Sequence, residues 1–265
     1  MSTAEEGAVR LRIEGPVASV LFDRPQARNA MTWAMYSQLM HICDQLSADA
    51  SVRVVTFRGA GGEAFVAGTD IEQFTAFGSE RPAGDDGVAY EKQIDKCIQK
   101  LESLPMPTLA IIEGWTIGGG LAIATTCDFR IATPASRFGV PIAKTLGNCL
   151  SVANLARQVA VWGLPRVKRM LLLAEVLNAD EALACGFLKD VVDASGIDEA
   201  AASLCSRLVA LAPVTQQVSR EALRRIVAYG LPADEDLIHR CYGSEDFHEG
   251  VSAFVGKRSP QWQGR

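Results

Sequence analysis

Apolar and polar residues alternate at the start of the chain, where charged residues separate Val9, Leu11 and Ile13. A second apolar run covers residues 17–22 after a turn-forming Gly-Pro pair, and the two runs predict a β-hairpin that opens a sheet. Next, Thr32 is a suitable N-cap for residues 33–47, whose apolar side chains repeat at helical spacing. The pattern therefore predicts two strands followed by a helix.

Predicted strands and helices alternate through the middle of the chain. Strands are predicted over 53–57, 108–112 and 129–132, and residues 90–104 carry apolar side chains at helical spacing up to Pro105. Beyond residue 132 the pattern is mainly helical, with helices predicted over 149–162, 165–174, 180–185, 197–211 and 214–229. This order predicts an α/β fold with parallel strands, right-handed crossovers and a sheet confined to the first half of the chain.

Residues 78–87, with the sequence GSERPAGDDG, are the least core-like segment. Glycine, proline, serine and aspartate favour turns and solvent. The segment therefore predicts a mobile loop, of the kind that often covers a ligand.

Composition narrows the class of protein. The chain has 265 residues, 48% of them hydrophobic, and a net charge of -5, so a large core and no nucleic-acid partner are expected. Residues 1–7 lack a basic start and an apolar core, which makes cytoplasm the expected compartment. Residues 104–126 are apolar but contain prolines, a glutamate and a glycine triplet, so a buried strand and helix are predicted there rather than a membrane span.

The seven cysteines are scattered, without a C-x-x-C pair, at positions 43, 97, 127, 149, 185, 205 and 241. Their odd number and spacing argue against a disulfide framework and against a zinc site. We expect reduced, mostly buried thiols and no metal.

Two glycine-rich segments carry the candidate chemistry. Gly118, Gly119 and Gly120 follow an apolar strand and open an apolar helix, where backbone N–H groups and the helix dipole can hold a negative oxygen. A tight strand-to-helix connection is the simpler alternative. Residues 59–71, which also follow a strand, offer a second backbone N–H at Thr69.

Several blocks, in order and spacing, resemble the enoyl-CoA hydratase/isomerase family, also called the crotonase superfamily. They lie at 22–31, 59–71, 115–122, 127–132, 138–141 and 249–254. The resemblance implies a crotonase-like spiral of ββα units over residues 1–195 and a C-terminal helical region over 196–265. It also implies assembly as a homotrimer or as a hexamer made of two trimers.

The resemblance further implies an acyl-CoA substrate, whose coenzyme A is part of the substrate, and no other cofactor. The thioester oxygen is expected to accept hydrogen bonds from the backbone N–H groups of Thr69 and Gly119. Substrate contacts are expected at Arg28, Ala30, Ala67, Gly68, Asp70, Ile71 and Gly118.

Two positions depart from the family pattern. Where hydratases of this family carry glutamates, the chain has Ala122 and Ile142, and neither side chain can transfer a proton. Replacements could come from other walls of the pocket, for which the candidates are Glu113, Asp85, Asp86, Glu91 and Lys144. The simpler interpretation is a strand-end charge for Glu113 and solvated acids for the loop group.

Nucleophilic attack is disfavoured. Cys149 and Ser151 would need a base, and the three histidines, His41, His239 and His248, lie in segments with no evident route to them. Three functions therefore stay open: an acid–base reaction of the hydratase/isomerase class with relocated groups, decarboxylation through an enolate, and acyl-CoA binding without turnover.

Overall fold

The chain opens with the predicted hairpin. The structure, a computed structural model, describes residues 7–79 and 82–264. Strands β1 (Ala8–Glu14) and β2 (Val17–Asp23) pair antiparallel, and a short 3-10 helix, Pro25–Ala27, follows. Helix α1 (Trp33–Ala48) begins where the Thr32 side chain accepts a hydrogen bond from the Met35 N–H.

Three consecutive ββα units then build the spiral that the resemblance implies. In each unit the first strand joins one sheet, the second strand joins another, and a helix returns the chain. The units are β3 (Val54–Gly59), β4 (Ala64–Ala67) and α2 (Ala83–Glu102); β5 (Thr108–Ile112), β6 (Trp115–Ile117) and α3 (Gly119–Thr126); and β7 (Phe129–Ala132), β8 (Arg137–Gly139) and α4 (Ile142–Thr145).

Two sheets result from this winding. Two later strands, β9 (Val176–Asn178) and β10 (Asp190–Val191), complete them. The six-stranded sheet has the order β1-β2-β3-β5-β7-β10 and the four-stranded sheet the order β4-β6-β8-β9. Strands from successive units pair in parallel, as predicted. The prediction that the sheet ends in the first half is wrong, because β9 and β10 each extend a sheet. Runs of two or three residues are too short to show an alternating pattern.

The C-terminal part is helical. All five helices predicted there exist, with each end within three residues of its predicted position, and two more follow them. Their bounds are α5 (Val152–Trp162), α6 (Leu164–Leu172), α7 (Ala179–Ala184), α8 (Ile197–Val209), α9 (Pro213–Ala228), α10 (Glu235–Tyr242) and α11 (Glu245–Val255). The predicted division at 195/196 falls between β10 and α8 and stays a prediction.

The predicted loop over 78–87 is wrong in its second half, because α2 begins at Ala83. Residues 80 and 81 lie outside the described residues. Gly84 and Gly87 are buried against α10: an added Cβ would lie 2.5 Å from the His239 ring and 2.2 Å from the Tyr242 ring. These glycines serve helix packing rather than a turn.

The outer helices pack in two places. Helix α8 covers one face of the six-stranded sheet with Ile197, Leu204 and Leu208. Helices α10 and α11 lie against α2 and the 3-10 helix Ile71–Ala76, where they form an aromatic cluster of Phe74, Phe77, Tyr90, Tyr242 and Phe247. Within the described residues, every helix is too short or too polar to cross a bilayer.

Candidate active site

Thr69 and Gly119 lie side by side because of the register between β4 and β6. These strands pair in parallel with Ala67 opposite Ile117, so each of the two residues stands two positions beyond that pair. On the other side of Thr69, Met31 donates to the Gly68 carbonyl and accepts from the Asp70 N–H, both at 2.9 Å. Successive amides of an extended strand point in opposite directions. The Thr69 N–H therefore points away from Met31.

A glycine with left-handed backbone precedes each of the two residues. Gly68 has φ of +96° and Gly118 has φ of +53°, and a Cβ added to Gly118 would lie 3.8 Å from the Gly68 Cα. Gly119 is the first residue of α3, where a helical N–H has no carbonyl one turn earlier to bind. Both turns thus border the same space.

The Thr69 hydroxyl has protein partners of its own. Its Oγ1 is 2.9 Å from the Tyr36 hydroxyl and accepts from the Tyr90 hydroxyl at 3.1 Å. Burial raises the pKa of both tyrosines, so both stay protonated. The three hydroxyls therefore hold the Thr69 side chain in place.

A cavity of about 170 Å³ opens beside these two turns. Its wall is mainly apolar and includes Phe74, Ile94, Ile117, Leu146 and Leu150. Larger depressions, of about 860 and 1190 Å³, lie along α9 and between the hairpin and α8. Two further depressions, of about 320 and 330 Å³, are also larger. None of these four is lined by Gly68 or Gly118, so the small cavity is the candidate site.

Ala122 and Ile142, the positions at which the resemblance expects glutamates, both line this cavity. Ala122 lies on α3 and Ile142 begins α4. The wall at these two places is therefore apolar.

The residues expected to contact substrate fall into two groups. Ala67, Gly68, Ile71 and Gly118 line the cavity, together with Thr69 and Gly119. Arg28, Ala30 and Asp70 do not line it.

The second group lies toward the outer surface. Arg28 is exposed, and its carbonyl accepts from the Ala67 N–H at 3.0 Å. It borders a surface groove of about 330 Å³ with Glu63. Asp70 forms an ion pair with Arg24 at 2.8 Å, and Arg24 also donates to the Ala30 carbonyl. This pair joins the Ala30 loop to the start of the 3-10 helix Ile71–Ala76.

Four of the five replacement acid–base candidates lie away from the cavity wall. Glu113 is bound by Arg58, with an ion-pair distance of 2.6 Å, which agrees with a strand-end charge. Asp85 is exposed near His239, and Asp86 accepts from the Gly78 N–H. Lys144 is exposed on α4.

Glu91, the fifth candidate, lines the cavity and is only 2% exposed. The expectation of a solvated loop acid is wrong for this residue, because it lies on the buried face of α2, against α10. Tyr242 donates to its Oε1 at 2.8 Å and the Ser151 N–H donates to its Oε2 at 3.0 Å. Burial raises the pKa of Glu91 to about 8 despite these two bonds, which lower it.

Among the residues described for the cavity wall, no histidine is present to act as a base for the nucleophilic alternatives. Cys149 interacts with the thiol of Cys241, and this contact together with burial raises the pKa of Cys149. Ser151 caps α5, and its hydroxyl donates to Asp95 at 3.0 Å. His41, His239 and His248 are absent from the cavity wall.

Sequence reasoning missed several polar residues of the site, among them Tyr90 and Asn148, which line the cavity, and Tyr242, which donates to Glu91. Each of these residues joins the site through contacts between segments that are distant in sequence, so no local sequence motif predicts its position there. Across residues 7–79 and 82–264, no group of three or more His, Cys, Asp or Glu side chains is arranged to hold a metal ion.

Comparisons with known proteins agree with this architecture. Residues 12–265 match the family model described as enoyl-CoA hydratase/isomerase. The chain is 30% identical to a short-chain-enoyl-CoA hydratase of Clostridium acetobutylicum, over 94% of this chain and 95% of the relative.

Solved structures extend the likeness to the fold. An enoyl-CoA hydratase/carnithine racemase from Magnetospirillum magneticum is 31% identical with a TM-score of 0.78, covering 97% of this chain and 96% of that one. A methylmalonyl-CoA decarboxylase complexed with 2S-carboxypropyl-CoA is 25% identical with a TM-score of 0.85, covering 97% and 98%. The chain belongs to the enoyl-CoA hydratase/isomerase family.

Proposed function

We propose that the protein binds an acyl-CoA thioester and stabilises its enolate with the backbone N–H groups of Thr69 and Gly119. The observation that carries this proposal is the convergence of the two glycine turns on one mainly apolar cavity. The coenzyme A would be part of the substrate, without a separate cofactor. Donors fixed in a dry site act on charge that develops in the transition state, and each contributes roughly 3 kcal/mol in comparable oxyanion sites.

The remaining contacts would divide between the two parts of the substrate. Ala67, Gly68, Ile71 and Gly118 border the reacting end, while Arg28, Ala30 and Asp70 shape the surface along which the coenzyme A would lie. The cavity, at about 170 Å³, is well below the roughly 300–1,000 Å³ of pockets for drug-sized ligands. Its size favours a short acyl group.

The reaction class is enolate chemistry of the hydratase/isomerase type with acid–base groups at unusual positions. Decarboxylation of a malonyl-type thioester is the second candidate, because Ala122 and Ile142 leave the cavity apolar where a hydratase of this family would carry glutamates. Loss of carboxylate generates the enolate directly and needs no base. Binding without turnover is the third.

Hydration of crotonyl-CoA, followed by loss of the enoyl absorbance, tests the first candidate. The donor-deletion variant is Gly119→Pro in a Tyr36→Phe background, because a Cβ at Gly119 would lie 2.6 Å from the Tyr36 hydroxyl. Tyr36→Phe alone is the matched control. We expect turnover in the wild type and in the control, and a loss of about 10²–10³-fold in the double variant.

Release of CO₂ from methylmalonyl-CoA, measured on the same three proteins, tests the second candidate. Turnover of this thioester but not of crotonyl-CoA would favour decarboxylation. Binding of both thioesters without change in either would favour the non-catalytic function.

We further propose that copies of this chain assemble through α9, as a trimer or a hexamer. Val214, Val218 and Ile226 form an exposed apolar stripe on this helix, which has no buried residue. Sedimentation velocity should report an oligomer for the wild type and a smaller species for Val218→Asp. Gln217→Asp, beside the stripe, is the control that should keep the wild-type mass.

A further inference from the structure

Glu91 is the one acidic side chain among the described residues that line the cavity. It lies on α2, next in sequence to Tyr90, which bonds the Thr69 turn. The two backbone donors and this carboxyl therefore border one mainly apolar space. The two positions where the family usually has glutamates, Ala122 and Ile142, are apolar here. Glu91 is therefore the acidic side chain that an enolate in this space would meet.

Two contacts hold the carboxyl in a fixed orientation. Tyr242, on α10, donates to Oε1, and the Ser151 N–H, at the start of α5, donates to Oε2. The Asn148 amide approaches the Tyr242 hydroxyl at 3.4 Å. Each carboxyl oxygen accepts one of these bonds and keeps a second lone pair, where a transferable proton can reside.

The surroundings keep this proton on Glu91 near neutral pH. Burial is the main cause of the raised pKa. The hydrogen bonds from Tyr242 and Ser151 lower the pKa, and the negative charges of Asp95 and Asp234 raise it further. Asp95 is itself paired with Arg157, and Asp234 accepts from the Val152 N–H at the start of α5. At pH 7 the group is mainly the neutral acid, as a proton donor must be.

The same wall contains a buried polar atom that has no hydrogen-bond partner among the described residues, which indicates that a polar group of a ligand can bind there. Asn148 lines the cavity, and its buried Oδ1 has no hydrogen-bond partner among the described residues. A buried acceptor without a partner costs about 1–3 kcal/mol. A hydroxyl group or a water molecule next to the acyl chain would satisfy it.

We propose that Glu91 is the catalytic acid that protonates the α carbon of the thioester enolate, a role that rests on the proposed enolate function. The O–H bond of Glu91 breaks as a C–H bond forms from the enolate electron pair, and the thioester C=O is restored. The Glu91 carboxylate that remains regains its proton from solvent. In reverse, the carboxylate removes the α proton of a saturated thioester.

The reverse step gives a test that does not depend on the natural substrate. Butyryl-CoA is incubated with the protein in D₂O, and deuterium at the α carbon is measured by mass spectrometry. We expect exchange in the wild type, a loss of about 10²–10⁴-fold in Glu91→Gln with unchanged butyryl-CoA affinity, and partial recovery in Glu91→Asp. Glu102→Gln, on the same helix but away from the cavity, should exchange at the wild-type rate.

The pH dependence provides a second measurement. Because the carboxylate removes the proton, wild-type exchange should rise with pH and level off above about 8, and Glu91→Gln should lack this limb. If Glu91→Gln exchanges at the wild-type rate while the Tyr36→Phe/Gly119→Pro variant loses exchange, the proposed role of Glu91 is wrong but the enolate function stands. Absence of exchange in wild-type protein that binds butyryl-CoA would overturn both the role of Glu91 and the enolate function.

Discussion

The two sides of the cavity are built in different ways. On the oxyanion side, Thr69 and Gly119 meet because parallel strands in successive turns of the spiral share a register. On the acid side, Glu91 is held by Ser151, 60 positions later, and by Tyr242, 151 positions later. The oxyanion side uses main-chain groups that any sequence with the right turns supplies, whereas the acid side depends on individual side chains. Substitutions should therefore affect the two sides differently.

The largest effect is expected from Gly120→Ala, which disrupts the oxyanion side through its packing. An added Cβ would lie 2.0 Å from the Val66 carbonyl oxygen, so α3 would have to move away from β4 and carry the Gly119 N–H with it. Overpacking costs about 1–3 kcal/mol and sometimes more. We expect thermal unfolding several degrees below wild type, together with loss of α-carbon exchange.

Gly196→Ala is the matched control for that substitution. The nearest atom to its added Cβ is the Val192 Cγ1 at 3.3 Å, a side-chain atom that can shift. Its unfolding temperature and exchange rate should be close to those of the wild type. An unfolding temperature for Gly120→Ala equal to that of this control would contradict the close contact between α3 and β4.

The oxyanion side was also the more predictable from sequence. The glycine motifs at 59–71 and 118–120 are local, and the strands before them have clear apolar patterns, so the alternation of strands and helices and the two glycine turns could be predicted. The ββα spiral and the role of Thr69 came from the family resemblance, and the role of Thr69 stays a prediction. The acid side could be inferred only in part. Glu91 was one of five candidate acid–base residues, but its partners Ser151 and Tyr242 are distant in sequence, and a solvated loop was expected beside it. Asp85, Asp86 and two glycines suggested a loop, yet these glycines allow α10 to pack closely on α2.

A second prediction concerns stability and tests the buried acid directly. The pKa of Glu91 is about 8 in the folded protein, above its value of 4.5 in an unfolded chain. Between these pH values the folded state therefore binds more protons than the unfolded state. The stability that Glu91 contributes is lost as the pH rises from about 4.5 to 8. We expect the difference in unfolding temperature between pH 5 and pH 8 to shrink in Glu91→Gln.

Glu102→Gln is the control here, since it removes another carboxyl group from the same helix but leaves Glu91 in place. It should keep the wild-type difference between the two pH values. If Glu91→Gln and Glu102→Gln show the same pH dependence, Glu91 is not the group that titrates in this range.

A third, smaller effect is expected from Tyr242→Phe. The ring and its packing against Phe77 and Phe247 are retained, but the hydroxyl that donates to Glu91 is lost. That bond lowers the pKa of Glu91, so its removal should raise the pKa further. The rising limb of α-carbon exchange should move to higher pH, and an unmoved limb would show that Tyr242 does not control the acid.

The smallest effect on exchange is expected from Thr69→Val. This substitution removes the side-chain hydroxyl but keeps the main-chain N–H, so it distinguishes the contributions of the two groups. The variant loses the bonds to Tyr36 and Tyr90 and should be less stable by about 1–3 kcal/mol, because buried hydroxyls lose a partner. Its N–H remains, so exchange should stay within about tenfold of wild type, and Thr69→Ser should recover the stability. A hundredfold loss in folded Thr69→Val that Thr69→Ser restores would mean that the hydroxyl itself acts on the substrate, and the oxyanion side would then depend on a side chain as the acid side does.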